Sequence, residues 1–473
     1  MTADRIQIKP RVWKRIAEKR ASRRLRSVRK RAIRRYHASL LKQRSANLLG
    51  KKKATYESVS EVWLPPNLMY LLSCEQSGFY FDRVTQNIPN NKGYFYVPRN
   101  FSIVETPEVS YRFIENILGA LLTQKYPVIT IDYSLCINLD LSAQVLLDVI
   151  LKDVILFFKR LSRFPHLSPK VKEINGRGLS NPFVRKLLFS VGSPVILQKR
   201  IYNQSDIVPY RLCIHNRDLS GNPVRIQEQK DIDTTKLVEY VIECLSRLNY
   251  TLTDDKIEDL SIVIGEILIN AEEHSTTRHR FSIGYFHEHK QNGNHFGVFR
   301  LSIFNFGDSI YQKFKDPDCP NKAIVKQMRR MSKKYRKRSL FQINKFDEEA
   351  LWTLYALQEG VTSVAPTRYR QRGNGSIQFI NSFFNIKGRL NEKDDFSKMA
   401  ILSGRAKILF DGSYSPTETL RYGKPYKLMT FNNSGRLADP PNSKFVYSDD
   451  NYFPGTIITA KILFNEDDLS LGE

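Results

Sequence analysis

Residues 259–274, Asp-Leu-Ser-Ile-Val-Ile-Gly-Glu-Ile-Leu-Ile-Asn-Ala-Glu-Glu-His, constrain this chain more than any other stretch. Leu260, Ile264, Ile267, Leu268 and Ala271 recur at helical spacing and predict a helix with one face packed inward. Glu266, Asn270 and Glu273 follow at i, i+4 and i+7, which stacks them on one polar stripe. A carboxylate one turn ahead of a carboxamide is an uncommon choice for the solvated face of a helix otherwise built from Ile and Leu. Spacing alone fits both an amphipathic helix with a polar outer face and a site in which the two groups act together. The residues downstream decide between them.

Charge divides the chain before any motif does. The formal charge is +26, yet residues 1–53 hold 20 Lys and Arg against only Asp4 and Glu18, so most of the excess belongs to one tail. Residues 11–42 read as a basic helix with a thin apolar stripe (Ala17, Ala21, Leu25, Val28, Ala32). Like charge at that density repels itself in water, so the helix is expected to form fully only against a polyanion. Nucleic acid, held through phosphate contacts by Arg23, Arg24, Arg31, Arg34 and Arg35, is the leading partner. Anionic lipid, an acidic protein and a solvating tail without a partner are the alternatives.

The remaining residues read as globular, with room for two or three domains in a chain of 473 residues. Five scattered cysteines without a C-x-x-C pair fit reduced thiols rather than a disulfide or zinc framework. The longest apolar region, 145–158, is interrupted by Asp148, Lys152 and Asp153, so no membrane span is expected. The basic N-terminus lacks the apolar core of a secretory signal, and the expected location is cytoplasmic.

In chain order, residues 54–105 suggest short strands and turns. Thr106-Pro107-Glu108 reads as a helix start with Thr as N-cap, followed by a buried strand at 127–132 and a long helix from Asp140 to about residue 163. The strand ending in Asp132 and the Asp140-x-Ser142 loop resemble the STAS domain of sulfate transporters and anti-sigma-factor antagonists, over residues 95–165. That resemblance implies a protein partner at this module. The position phosphorylated in the bacterial antagonists is Leu141 here, with Ser142 one residue on; an ordinary α/β domain in which Ser142 caps a helix is the other reading. A boundary is expected near 217–223, then a helix at 234–248, with Thr253 capping the helix of the opening stretch.

Two strands, 281–287 and 296–304, flank an Asn292-Gly293 tight-turn signal. Asn305-x-Gly307 follows, then a long irregular region, a helix containing Ala350 and Leu357, Gly360-x-Thr362-Ser363, Arg372-Gly373-x-Gly375-Ser376, and a last strand announced by Gly455-Thr456. With Glu266-x-x-x-Asn270, this ordered set resembles the GHKL ATP-binding fold of gyrase B, heat-shock chaperones, MutL-type repair proteins and histidine kinases. The resemblance implies ATP and Mg²⁺ as cofactors. It makes Asn270 the magnesium ligand, Glu266 the residue that orients or deprotonates water, and Arg372, Gly373, Gly375 and Ser376 the phosphate contacts. Asn305, Gly307 and Thr456 fall at the adenine end.

Asn305 stands where the family has Asp; its carbonyl can still accept from an adenine amino group, but its NH2 adds a donor, so the network around Thr456 must differ. Between the boxes, residues 322–338 carry nine Lys and Arg and no acid, which reads either as a second polyanion contact or as an exposed mobile lid.

The expected architecture is therefore α/β (α+β): a basic tail (1–53), a STAS-like α/β domain with β-rich flanks (54–220) and a GHKL-like α/β sandwich (221–473). The expected function is a slow ATPase acting as a nucleotide-gated switch. An anti-sigma-type protein-serine kinase and a non-hydrolysing ATP-binding scaffold are the alternatives. No helix bearing a phospho-acceptor His precedes the domain, which weakens the histidine-kinase branch.

Overall fold

Both faces of the central sheet are buried, and this decides how the rest of the chain is arranged. The computed structural model describes residues 64–86, 88–163, 168–196, 206–216, 223–249, 251–273, 275–291, 294–338, 347–361, 377, 380–381, 397–421 and 424–464. The fold is mixed α/β. Strands β6 (Ile207–Asn216), β7 (His279–Gln291), β8 (Asn294–Phe306), β9 (Lys398–Phe410) and β12 (Val446–Phe464) form a five-stranded antiparallel sheet in the order β6-β7-β8-β12-β9. Gln291 pairs with Asn294, so residues 292 and 293 alone connect β7 to β8. β6 lies upstream of residue 220, yet it is an edge of this sheet and no part of an upstream domain.

One face of the sheet presents Phe286, Phe299, Leu301, Ile303, Ile458 and Ile462 to helices α6 (Pro223–Ser246) and α7 (Asp254–Glu273). The buried residues of α7 include Leu260, Ile264, Ile267, Leu268 and Ala271, the apolar stripe expected from spacing. Side chains alternate across a strand, so Phe281, Ile283, Tyr285, Phe304, Ile457 and Leu463 point the other way, and all are buried too. Their cover is the upstream module: α1 (Pro66–Ser73), α3 (Pro107–Leu122), α4 (Leu141–Leu161) and α5 (Pro182–Val191) pack against β8, β12 and β7. Lys407 of β9 pairs with Asp449 of β12 at 2.6 Å, and the same Nζ donates to the Ile103 carbonyl at 3.3 Å, fastening the module's entry loop to the sheet. Residues 65–473 form one compact unit.

The module has its own parallel sheet, β1 (Tyr94–Tyr96), β3 (Val128–Asp132) and β5 (Glu173–Arg177), in the order β1-β3-β5, beside a short parallel pair, β2 (Asn100–Phe101) and β4 (Asn138–Leu139); β10 (Thr417–Arg421) and β11 (Lys424–Leu428) form a separate antiparallel pair. Its first elements depart from the expected strands and turns: α1 and α2 (Phe81–Gln86) are helices. Pro66 at the first helical position and Leu68, Leu71 and Leu72 at i, i+3 and i+4 explain α1. Thr106 precedes α3 but does not cap it; its hydroxyl donates to the Asn100 carbonyl at 2.7 Å instead. Ser142 lies inside α4 and is fully buried, its hydroxyl donating to Asp140.

Below α4 lies a buried polar network. Tyr133 donates to Gln144 Oε1 at 3.0 Å, and Gln144 Nε2 and Ser193 Oγ donate to Asp148 Oδ1 at 2.8 and 2.7 Å. Burial pushes the Asp148 carboxyl up to about 7, although these hydrogen bonds favour its ionised form. The folded chain thus keeps this proton to about pH 7, while the unfolded chain releases it near 4. The folded-state pKa of an acid is raised, so its contribution is fully present on the acid side and is lost as pH rises from about 4 through 7. Asp148→Asn removes the titration. The stability difference between variant and wild type is expected to shift in the variant's favour by a few kcal/mol between pH 5 and pH 8. Denaturant midpoints at the two pH values check this.

Candidate functional site

Asn305 is the hub at which the residues singled out from sequence meet. It is the penultimate residue of β8, paired with Arg280 on β7 and Thr456 on β12, and its side chain faces α7. Its Oδ1 accepts the Thr456 N–H at 3.1 Å, while Nδ2 donates to the carbonyl of Ala271, the residue after Asn270. The amide is fully buried. Both amide atoms are engaged within the protein.

Glu266 and Asn270 lie one turn apart in α7, on the helix that Asn305 grips. Their side-chain positions, and those of Glu273 and His274, lie outside the described residues. So do Arg372, Gly373, Gly375 and Ser376, Thr362 and Ser363, and the whole tail with Arg23, Arg24, Arg31, Arg34 and Arg35. Gly307 follows β8, and its N–H donates to the Pro454 carbonyl at 3.3 Å. Asp308 N–H donates to Thr276 Oγ1 at 3.2 Å, which draws the loop after α7 to the end of β8.

The ladder between β12 and β9 is broken in the middle of β12. The pairing with β9 shifts register between Phe453 and Thr456, opposite Gly404, whose φ is +61°. Such a bulge re-aims side chains beside it. Gly455, with φ +148°, passes so close to β8 that a Cβ would lie 2.1 Å from the Asn305 carbonyl oxygen. Thr456 Oγ1 then lies 2.8 Å from Ser403 Oγ, which also accepts the Ile310 N–H at 2.8 Å at the start of helix α8 (Ile310–Lys315).

Sequence reasoning missed Ser403 and Glu349. Ser403-Gly404 ends the apolar run 399–402 within β9, and an isolated Gly in a strand is a bulge signal that could have found it. Glu349 sits in the first turn of helix α10 (Glu348–Ala356), buried, with Oε1 accepting the Arg405 N–H at 3.0 Å; burial raises its carboxyl above the usual range. Nothing in its sequence neighbourhood marks it.

Arg280 braces the helix from below. It is 2% exposed, its Nη2 pairs with Asp233 of α6, and its Nη1 donates to the Leu268 carbonyl of α7 at 3.4 Å. The position of residues 266–271 relative to the sheet thus depends on Arg280 and Asn305 together.

The long irregular region expected after Gly307 is largely helical. Residues 322–338 form helix α9 (Lys322–Arg338), whose Val325, Met328 and Ser332 are buried against α10. Trp352 Nε1 donates to Ser332 Oγ at 2.7 Å. The apolar positions, hidden among nine basic residues, supply the packed face.

Among the described residues no group of three His, Cys, Asp or Glu is placed to hold a metal ion. A separate open cleft of about 760 Å³ lies between α4 and β5, lined in part by Lys159, Lys172 and Arg177; none of the residues singled out from sequence lines it. Among the described residues no helix is long and apolar enough to cross a membrane. No protein-family model, curated protein or solved structure matches the chain.

Proposed function

We propose that the chain is a Mg-ATP-binding protein of the GHKL type, a slow ATPase that acts as a nucleotide-gated switch, with a STAS-like module covering its sheet and a basic tail that contacts nucleic acid. The observation that carries this reading is the Asn305 amide. It joins the residue after Asn270 to the backbone of Thr456, so that three motifs more than thirty residues apart in sequence meet at one junction. Two helices packed on one face of an antiparallel sheet, with α7 gripped at residue 271, support the same reading.

In this reading Asn270 offers its carbonyl oxygen to Mg²⁺, and Glu266 orients or deprotonates the attacking water. Backbone N–H groups of Gly373, Gly375 and Ser376 and the Arg372 charge would hold the phosphates. Bound Mg-ATP supplies the phosphoanhydride whose presence or cleavage sets the switch. The module packed behind the sheet is then the part that responds.

The test is paired. Asn270→Ala is expected to abolish Mg-ATP binding by calorimetry. Glu266→Ala is expected to keep binding and to lose turnover by about 10²–10⁴-fold, the usual worth of a positioned general base. Wild-type turnover in both variants removes the catalytic assignment.

A second reading, a non-hydrolysing ATP-binding scaffold, shares the Asn305 junction and differs from the first only in what Glu266 does. Binding without turnover in the wild-type chain selects it. The protein-serine kinase reading finds no acceptor in Ser142, which is fully buried.

A further inference from the structure

Helix α9 carries its basic residues in a register that composition does not reveal. Lys322, Lys326, Arg329, Arg330 and Lys333 are all exposed and follow at i, i+4, i+7, i+8 and i+11, a single ridge along one side. The adjoining face, Val325, Met328 and Ser332, is buried against α10, with Trp352 hydrogen-bonded to Ser332. The ridge therefore sits on a seated helix, with its direction fixed by packing. Lys322 donates to the Pro317 carbonyl, and among the described residues Lys326, Arg329, Arg330 and Lys333 form no ion pair. α9 itself contains no acid.

We propose that this ridge is a docking surface for the phosphodiester backbone of duplex nucleic acid, separate from the tail and independent of whether the nucleotide site turns over. At 1.5 Å per residue, Lys322 to Lys333 spans about 16 Å. Over that length a duplex makes about half a turn, so the ridge meets only the near-side phosphates of a strand, about two or three of them. The surface suits a duplex better than a single strand, because residues 322–333 include no aromatic side chain on which unpaired bases could stack. It does not suit a bilayer, because a helix that lies on lipid inserts its apolar face, and the apolar face of α9 is already spent on α10. Contacts of this kind position the protein on nucleic acid without reading its sequence.

The experiment uses the full chain and a fluorescent DNA duplex, with binding measured by anisotropy across a salt series. Lys326→Gln, Arg329→Gln and Arg330→Gln are combined; all three positions are exposed, and Gln keeps the helix. Each phosphate neutralised contributes about 0.9 to the slope of log K against log salt, so the slope is expected to become shallower by roughly 2–3. Affinity at low salt is expected to fall by at least tenfold. A control combining Lys172→Gln, Arg185→Gln and Lys236→Gln removes the same charge from exposed positions elsewhere and is expected to leave the slope in place. An unchanged slope in the α9 variant, an equal loss in the control, or a loss seen only with anionic vesicles or an acidic protein overturns the proposal.

Discussion

Arg280→Met is expected to lower stability by about 3–5 kcal/mol, the usual cost of removing one partner from a buried ion pair. Arg280 is buried beneath α7, and its removal takes the guanidinium from Asp233, which keeps Gln229, whose Nε2 donates to Oδ1 at 2.9 Å, and His215, whose Nδ1 lies 3.5 Å away. It also frees the Leu268 carbonyl. Part of the loss is the cost of leaving that half-buried carboxylate without its cation. Adding Asp233→Leu is therefore expected to recover that part of it, and a double-mutant cycle in denaturant separates the pair from its surroundings. Recovery of stability without recovery of nucleotide binding would assign Arg280 a second role in setting the height of α7 against the sheet. Equal stability of the single variant and the wild type would show that the pair does not hold the two helices.

Gly455→Ala is the second large effect. A Cβ there meets backbone, the Asn305 carbonyl oxygen at 2.1 Å and the Asn305 carbonyl carbon at 3.0 Å, so no rotamer change relieves it. The φ of +148° adds a conformation that side-chain-bearing residues rarely adopt. Overpacking and backbone strain each cost about 1–3 kcal/mol, so a loss of roughly 3–5 kcal/mol is expected. β8 and β12 must part where Asn305 and Thr456 face each other, and the Asn305–Thr456 hydrogen bond is the first casualty. Chemical denaturation reads the first effect and ATP calorimetry the second. A variant with wild-type stability would mean that the strands have slack at this point.

Legibility in the sequence followed periodicity. The apolar positions of α7 recur with a clean 3.6-residue period, and all those singled out are buried. The β7–β8 hairpin was readable because its turn signal sits between two aromatic-rich runs, though both strands extend further than the runs alone indicated. α9 was not readable, because its packed face is only a few residues wide and lies within a run of charge. α5 was legible but missed: Val184, Leu187, Leu188 and Val191 recur at i, i+3, i+4 and i+7 after Pro182, between an Asn181 side chain accepting from Phe183 and Val184 N–H and a left-handed Gly192.

At the site, Asn305 and Thr456 were found as motif residues, but their partnership was not. A hydrogen bond across strands separated by some 150 residues leaves no local trace. The burial of both sheet faces did leave one. Residues 296–306 are nearly all apolar or small rather than alternating with polar residues, which is how a strand covered on both sides reads.

That double cover makes the two halves a single inheritance. Cut at residue 220, the C-terminal half would leave β6 behind and bare Phe281, Tyr285, Phe304 and Ile457 to water, while the upstream half would lose the floor on which α3, α4 and α5 rest. Neither half can be lent to another protein without a replacement for the other. A lineage carrying this arrangement must gain or lose both together.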